Sequence, residues 1–245
     1  MPNPFKQMPG AWDIIKDTWT LFISTWKTSI KTSILLFYLG LVTFVTSVLT
    51  KFNGLFSIVH FLALIAVGIL SVWVSVRIIL TMFNLEAGKK PLPVDKESAK
   101  AWALFWPMLW VSFITGLAIL GGTILFIIPG IYLAVSLYFT QLILIEKGTR
   151  GTQALGASRA LVKGRWWATI WRLIAGGIVF GILVALINQA LVWILVQIIG
   201  PAAIEVRDPA ALGGISLIGY AVQAAFIPLL IGFQIKIYRA LEKTR

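Results

Sequence analysis

Long runs of apolar residues alternate along the chain with short segments that hold nearly all of its charges. A bilayer core of about 30 Å requires roughly 20 apolar residues in a helix. Six runs reach or approach this length, and each predicts a transmembrane helix: residues 32–50, 55–76, 101–128, 131–145, 173–199 and 210–235. The fourth run is short, but it can extend through Glu146 and Lys147, because long charged side chains reach from the membrane toward water.

Three further segments are amphipathic and lie at or just before the first, third and fifth apolar runs: residues 11–25, 98–110 and 152–163. In the first segment, tryptophan and other large apolar residues recur every three or four positions, which places them on one side of a helix. Such stripes are typical of helices that lie in the membrane interface. In the second, Pro107 predicts a bend from the interface into the membrane.

Composition agrees with a membrane location. Of 245 residues, 59% are hydrophobic and only 12% are charged, which leaves too few polar side chains to cover a water-soluble globule. The formal net charge is +12, but the basic residues are separated by long apolar runs instead of forming one solvated basic face. This arrangement argues against a nucleic-acid partner and favours a membrane protein.

The positions of the basic residues predict the orientation. Of 21 Lys and Arg, 19 lie in segments on one side of the six spans, whereas Lys51 and Arg207 lie on the other. Basic flanks stay in the cytoplasm, so we expect both termini there. We also expect no cleaved signal peptide, because four lysines precede the first apolar run. The same basic excess would attract anionic lipid, and both interpretations can hold together.

These patterns predict an all-α polytopic membrane protein with six transmembrane helices and three amphipathic interfacial helices on the cytoplasmic side, here called elbow helices. Each elbow helix would open a unit that continues into a transmembrane hairpin. The units are residues 1–90, 91–150 and 151–245 of one integral membrane domain. Ordinary packing of loops at the interface is the competing interpretation.

Few residues offer chemistry. The chain has no Cys and one His, so thiolate and histidine metal sites are excluded and we expect no metal and no cofactor. Arg77 and Glu146 are predicted at the cytoplasmic ends of the second and fourth spans, where Glu146 would pair with Arg77 or with Arg150. A lone carboxylate lacks the second acid, base or nucleophile that catalysis requires.

Polar amides interrupt the last two spans at Asn188, Gln189 and Gln223. Such side chains either form hydrogen bonds between helices or line a polar path through the membrane. The spacing of Gly177 and Gly181 favours a close helix contact.

Two short motifs flank the fourth span. Pro129 and Gly130 predict an extracytoplasmic turn, since proline fixes φ and glycine permits a positive φ. After the fourth span, basic and aromatic residues form a candidate surface for binding lipid or a protein partner: Arg159, Lys163, Arg165, Trp166 and Trp167.

The sequence IIPGIYL at 127–133, then Glu146, Ala154-Leu155, Ser158-Arg159, Leu161 and Lys163-Gly164, resembles the membrane domain of glycerophosphoryl diester phosphodiesterases and related uncharacterised bacterial six-helix membrane proteins. The resemblance covers mainly residues 120–167. It implies a six-helix membrane module, in some relatives fused to a soluble phosphodiesterase domain after the last span. Only residues 236–245 follow the last span here, without the His, Asp and Glu set of that domain, so we expect no enzymatic activity.

The sequence thus predicts a non-enzymatic integral membrane module that binds membrane lipids, anionic ones among them, or a membrane-protein partner. Its expected location is the cell membrane. The resemblance to bacterial membrane proteins implies that this is the bacterial cytoplasmic membrane. The alternative is a small transporter or permease-like protein with a polar path near the midplane.

Overall fold

A computed structural model describes residues 8–200 and 208–244. Eight helices and no strands form this part of the chain. They are α1 (Ala11–Leu49), α2 (Gly54–Glu86), α3 (Val94–Leu125), α4 (Ile127–Ser136), α5 (Thr140–Lys147), α6 (Gly151–Val162), α7 (Trp166–Ile199) and α8 (Pro209–Lys243).

Six of the helical segments are long and apolar enough to cross a membrane. They are α1, α2, α3, α4 together with α5, α7 and α8. The predicted all-α architecture with six membrane-length helices is therefore confirmed. Helices such as α1, with 39 residues, measure about 58 Å at 1.5 Å per residue, so they exceed the thickness of the hydrocarbon core.

The buried core lies at one end of the bundle. Every residue from Val76 to Phe83 is buried, and so is most of α8 from Pro228 to Leu241. They pack with Leu142–Ile145 of α5 and with the start of α1. By contrast, most of α2 before Ser71 is apolar but exposed, as expected for a surface that faces lipid. The helices α2, α5 and α8 all end at this end of the bundle, which we call the basic end.

The opposite end holds the connection between α1 and α2. Lys51 Nζ lies 2.8 Å from Asp208 Oδ2, and Asp208 also accepts hydrogen bonds from the first backbone N–H groups of α8. These contacts lower the pKa of Asp208 below its ordinary value, with the hydrogen bond from Lys51 as the main cause. Arg207, which the sequence predicts at this end, lies outside the described residues.

The elbow helices are not confirmed as separate elements. The first continues into the following span within α1, and the second continues through Pro107 within α3. Only the third forms a helix of its own, α6. Its Ala154, Ser158 and Leu161 are buried while Arg159 is exposed, in agreement with the amphipathic pattern.

The fourth span is broken into α4 and α5 at residues 137–139, and a side chain from α6 fills the break. Ser158 Oγ donates a hydrogen bond to the Ser136 carbonyl at 2.8 Å and accepts one from the Phe139 N–H at 3.3 Å. Side chains inserted in this way into the ladder of a helix are a common cause of kinks. The predicted fourth span, residues 131–145, is thus present within the membrane-length segment Ile127–Lys147, which consists of two short helices.

The predicted turn at Pro129 and Gly130 also needs correction. The chain reverses at Phe126, whose backbone is extended, and both motif residues lie in the first turns of α4. Gly130 has no positive φ. It is needed for another reason, because a side chain there would overlap Thr123 of α3. The motif therefore lets α3 and α4 pack closely.

Candidate functional site

Three of the five residues predicted to form the basic and aromatic surface lie exposed at the basic end: Arg159, Lys163 and Trp167. Arg159 projects from α6 on the side away from its buried residues, and Trp167 is 79% exposed at the start of α7. Among the described residues, neither Arg159 nor Lys163 has a carboxylate partner. We call these three residues the α6 rim.

The other two residues are engaged within the fold. Arg165 donates to the carbonyls of Leu241 and Leu161 at 3.0 and 3.2 Å, and it also contacts Thr244. Trp166 stacks on Tyr132 with ring centroids 5.8 Å apart and donates to the Tyr132 carbonyl at 3.2 Å. Both side chains join α7 to its neighbours, so they are structural.

An apolar groove lies beside the tryptophan stripe, and the sequence alone did not predict it. Trp12, Lys16 and Trp19 of α1 face Ile182 and Leu186 of α7 across a cavity of about 660 Å³. Lys16 Nζ lies 5.7 Å from the centre of the Trp12 ring and has no carboxylate partner among the described residues. The stripe itself was visible in the sequence, but the contribution of α7 requires knowledge of which helices are neighbours.

The buried ion pair differs from the predicted one. Arg77 Nε lies 2.8 Å from Glu97 Oε1, and Thr81 donates to the other carboxylate oxygen at 2.8 Å. The Arg77 guanidinium also lies 4.9 Å from the Trp73 ring centre. The prediction that Arg77 pairs with Glu146 is therefore wrong, because Arg77 forms its ion pair with Glu97 at the start of α3.

Glu146 binds Arg239 of α8, with 2.6 Å between the charged atoms. Arg239 also contacts Glu242 at 2.9 Å and Glu86 at 3.3 Å. One guanidinium thus connects the ends of α2, α5 and α8, and Arg150 takes no part. A guanidinium offers five N–H donors, which suits it to bind several carboxylates at once.

The predicted intramembrane amides divide into two groups. Asn188 of α7 and Gln223 of α8 line one cavity of about 410 Å³. Gln223 also lines a second cavity of about 540 Å³ between α8 and α2. Gln189 is exposed and lines neither cavity.

Helix contacts in this region rely on glycines other than those predicted. A side chain at Gly176 would overlap the ring of Phe233 in α8, and one at Gly40 would overlap Tyr220. A methyl group at Gly177 or Gly181 would meet no atom of a neighbouring helix within 4 Å. The close approach of α7 to α8 therefore depends on Gly176.

No group of three or more His, Cys, Asp or Glu residues that could hold a metal ion occurs within 8–200 and 208–244. Glu86, Glu97, Glu146, Asp208 and Glu242 each contact a basic side chain. These contacts give the ionic groups a role in joining helices.

Comparisons with protein-family models, curated proteins and solved structures find no match.

Proposed function

We propose that this chain is a non-enzymatic integral membrane module that binds anionic lipid at its basic end. The observation that carries the proposal is the α6 rim, where two exposed cations without carboxylate partners among the described residues lie beside an exposed tryptophan. Tryptophan is favoured at the level of lipid headgroups, and each Lys or Arg near an anionic membrane surface contributes about 1 kcal/mol.

The distribution of the remaining cations supports this proposal. Basic residues that contact carboxylates connect helices. In contrast, many exposed Lys and Arg have no such partner among the described residues: Lys16, Lys27, Lys31, Lys89, Lys90, Lys96, Lys100, Arg150, Arg159, Lys163 and Lys243. Anionic headgroups would provide an acidic counterpart to this surface.

The groove between α1 and α7 adds an apolar contact of the kind that an acyl chain requires. Its lining is formed mainly by Trp12, Trp19 and aliphatic residues of α7, with Lys16 as the cation. A chain in the groove would bury methylene groups, each worth about 0.8 kcal/mol, while a phosphate could approach Lys16. The tryptophan stripe on α1 thereby acquires a function in holding lipid.

The proposal is tested by measuring lipid retention on the full chain in detergent by native mass spectrometry, with phosphatidylglycerol and phosphatidylcholine as probes. The double variant Arg159→Gln/Lys163→Gln should weaken phosphatidylglycerol binding by about 2 kcal/mol, or roughly thirtyfold. Phosphatidylcholine binding should change little.

The matched control is Lys89→Gln/Lys90→Gln, which removes the same charge from the connection between α2 and α3. Equal losses in the two double variants would show that only the overall charge matters and would refute a site at the α6 rim. Unchanged binding in both double variants would also refute the α6 rim as the site.

We place the basic end in the cytoplasm and the protein in the cell membrane. The asymmetry of Lys and Arg supports this orientation. The natural absence of Cys permits a direct test with single cysteines at Lys163 and Asn53. A membrane-impermeant thiol reagent added to intact cells should label Asn53→Cys and not Lys163→Cys, and the reverse result would refute the orientation.

A small transporter is the second candidate function, and the two cavities that flank Gln223 favour it. Transport requires a solvated path across the membrane, of which these cavities would form the middle part. Uptake of a radiolabelled solute into proteoliposomes would support this candidate only if filling the cavities abolished it.

A further inference from the structure

Two cavities meet at one face of α8 near the middle of the membrane-length helices. The first is lined by Ser71 and Ser75 of α2 and by Ser216, Tyr220 and Gln223 of α8. The second is lined by Asn188 of α7 together with Gln223, and Gly219 and Ile227 line both. We call the two cavities together the Gln223 cleft.

The depth of the cleft follows from the positions along α8. Gln223 lies 15 residues after Asp208 and 13 residues before Lys236, and both distances correspond to about 20 Å of helix. Gln223 is therefore about equally far along α8 from Asp208 at one end of the bundle and from Lys236 at the other. Polar groups at this depth are costly unless something polar meets them.

The hydrogen-bonding groups of the cleft are largely unused. Within the described part of the chain, the side chains of Asn188, Tyr220 and Gln223 form no hydrogen bond. The hydroxyls of Ser71 and Ser75 donate to carbonyls of α2 at 2.7 and 2.8 Å, which leaves their oxygens as acceptors. The cleft thus presents both donors and acceptors to an occupant.

Among the described residues, no charged side chain lines either cavity. A phosphate or an ammonium group placed there would lack a counter-charge and would pay a large desolvation cost. Hydroxyl groups fit better, because each can donate and accept a hydrogen bond. The chemistry of the cleft therefore selects an uncharged, hydroxyl-bearing molecule.

The surroundings indicate the side from which such a molecule arrives. Gln223 is exposed at the surface of the bundle, and the neighbouring surfaces of α2 and α7 carry exposed Ile65, Ile69, Ile182 and Leu186. These apolar surfaces suit acyl chains. We infer that the Gln223 cleft binds the free hydroxyl group of a neutral glycerolipid, of which diacylglycerol is the simplest example, within the membrane.

Gly219 provides a way to fill the cleft without disturbing helix packing. It lines both cavities, and a methyl group there would meet no atom of a neighbouring helix within 4 Å. Gly116 of α3 is also open and lines neither cavity. Leucine at Gly219 should therefore block the site, while leucine at Gly116 adds the same apolar volume elsewhere.

The test measures binding of dioleoylglycerol to the full chain in phosphatidylcholine nanodiscs. Gly219→Leu should weaken binding at least tenfold, and Gln223→Leu should weaken it about fivefold through the loss of one hydrogen bond. Gly116→Leu should bind like the unmodified chain. If Gly219→Leu fails to fold, Gln223→Leu carries the test alone.

Competing probes separate the possible sources of the hydroxyl group. Dioleoyl phosphatidic acid and free glycerol should both fail to displace dioleoylglycerol. Displacement by phosphatidic acid would overturn the uncharged character of the site, and displacement by free glycerol would assign it to a water-soluble molecule. Binding that is unchanged in both Gly219→Leu and Gln223→Leu would overturn the site itself.

The inference is independent of lipid binding at the α6 rim. Arg159→Gln/Lys163→Gln should retain dioleoylglycerol, so failure of one proposal does not decide the other. The transporter candidate is tested separately by solute flux, since binding without flux supports the cleft and refutes transport.

Discussion

Arg77 and Glu97 form an ion pair between α2 and α3, with Nε and Oε1 2.8 Å apart and side chains only 8% and 3% exposed. Thr81 binds the second carboxylate oxygen and lies 3.4 Å from the hydroxyl of Thr32 in α1. Three helices therefore meet at one buried carboxylate. This position lies where the lipid-exposed part of α2 gives way to its buried part.

Removing one member of this pair leaves an uncompensated buried charge. Arg77→Met and Glu97→Leu should each lower the free energy of unfolding by about 3–5 kcal/mol. The double variant should lose less than the sum of the two, because neither charge then remains. A double-mutant cycle measured by unfolding in detergent micelles checks this coupling.

The control for this cycle is Lys51→Ala, which removes a cation from a far more exposed ion pair. Exposed ion pairs contribute little to stability because solvent screens them, so the effect should be small. Additive losses in the Arg77 and Glu97 cycle would contradict a direct interaction.

The number of membrane-length helices was predictable because uncharged apolar runs of sufficient length have few alternatives. The partners in the ion pairs were not predictable from the sequence. The sequence predicts both Arg77 and Glu146 at cytoplasmic helix ends, but such placement does not say which helices are neighbours. Nothing in the sequence singles out Glu97, because it lies in a polar segment before a span, and the amphipathic pattern there does not reveal that α2 covers it.

For the residues of the candidate site as well, the sequence identifies candidates but does not show their tertiary contacts. Arg159 and Arg165 belong to one basic segment, and only tertiary contacts distinguish the exposed cation from the one that binds the end of α8. Likewise, Gly177 and Gly181 have the spacing of a helix contact, whereas the contact is made by Gly176. A sequence spacing identifies a possible helix face but does not say which face meets another helix.

Ser158 should stabilise the break between α4 and α5. It is fully buried and satisfies two backbone groups that would otherwise lack partners. Ser158→Ala should destabilise the protein by about 1–3 kcal/mol, since buried unsatisfied groups cost this much. Thermal unfolding in detergent measures the loss.

Ser24→Ala is the matched control for Ser158→Ala. Ser24 is exposed, and its hydroxyl donates only to the Leu21 carbonyl of its own helix. The stability of this variant should change by less than about 0.5 kcal/mol. Equal effects at Ser158 and Ser24 would show that the hydroxyl does not support the break.

Adjacent glycines of α7 should respond in opposite directions to substitution by alanine. Gly176→Ala places a methyl group against Phe233, and such overpacking costs about 1–3 kcal/mol. Gly177→Ala meets no neighbour and replaces glycine within a helix, so it should be neutral or stabilising by up to about 1 kcal/mol. Unfolding of both variants in the same detergent checks the contrast, and a larger loss at Gly177 would contradict the packing of α7 on α8.

The contact between Lys51 and Asp208 should make stability depend on pH at the acidic end of the range. The pKa of Asp208 is below its ordinary value of 3.8 in the folded chain, mainly because Lys51 donates a hydrogen bond to it. The contact therefore stabilises the folded chain above that ordinary value, and its contribution falls as the pH drops through the lowered pKa.

Asp208→Asn keeps a side chain able to cap α8 but cannot titrate. The Tm of the unmodified chain should exceed that of Asp208→Asn at neutral pH, and the difference should vanish toward pH values below the lowered pKa. In a chain that carries Lys51→Gln, Asp208→Asn should lower the Tm by less, because the main cause of the shift in the pKa of Asp208 has been removed. A difference in Tm that stays constant across the titration would contradict the assigned role of Lys51.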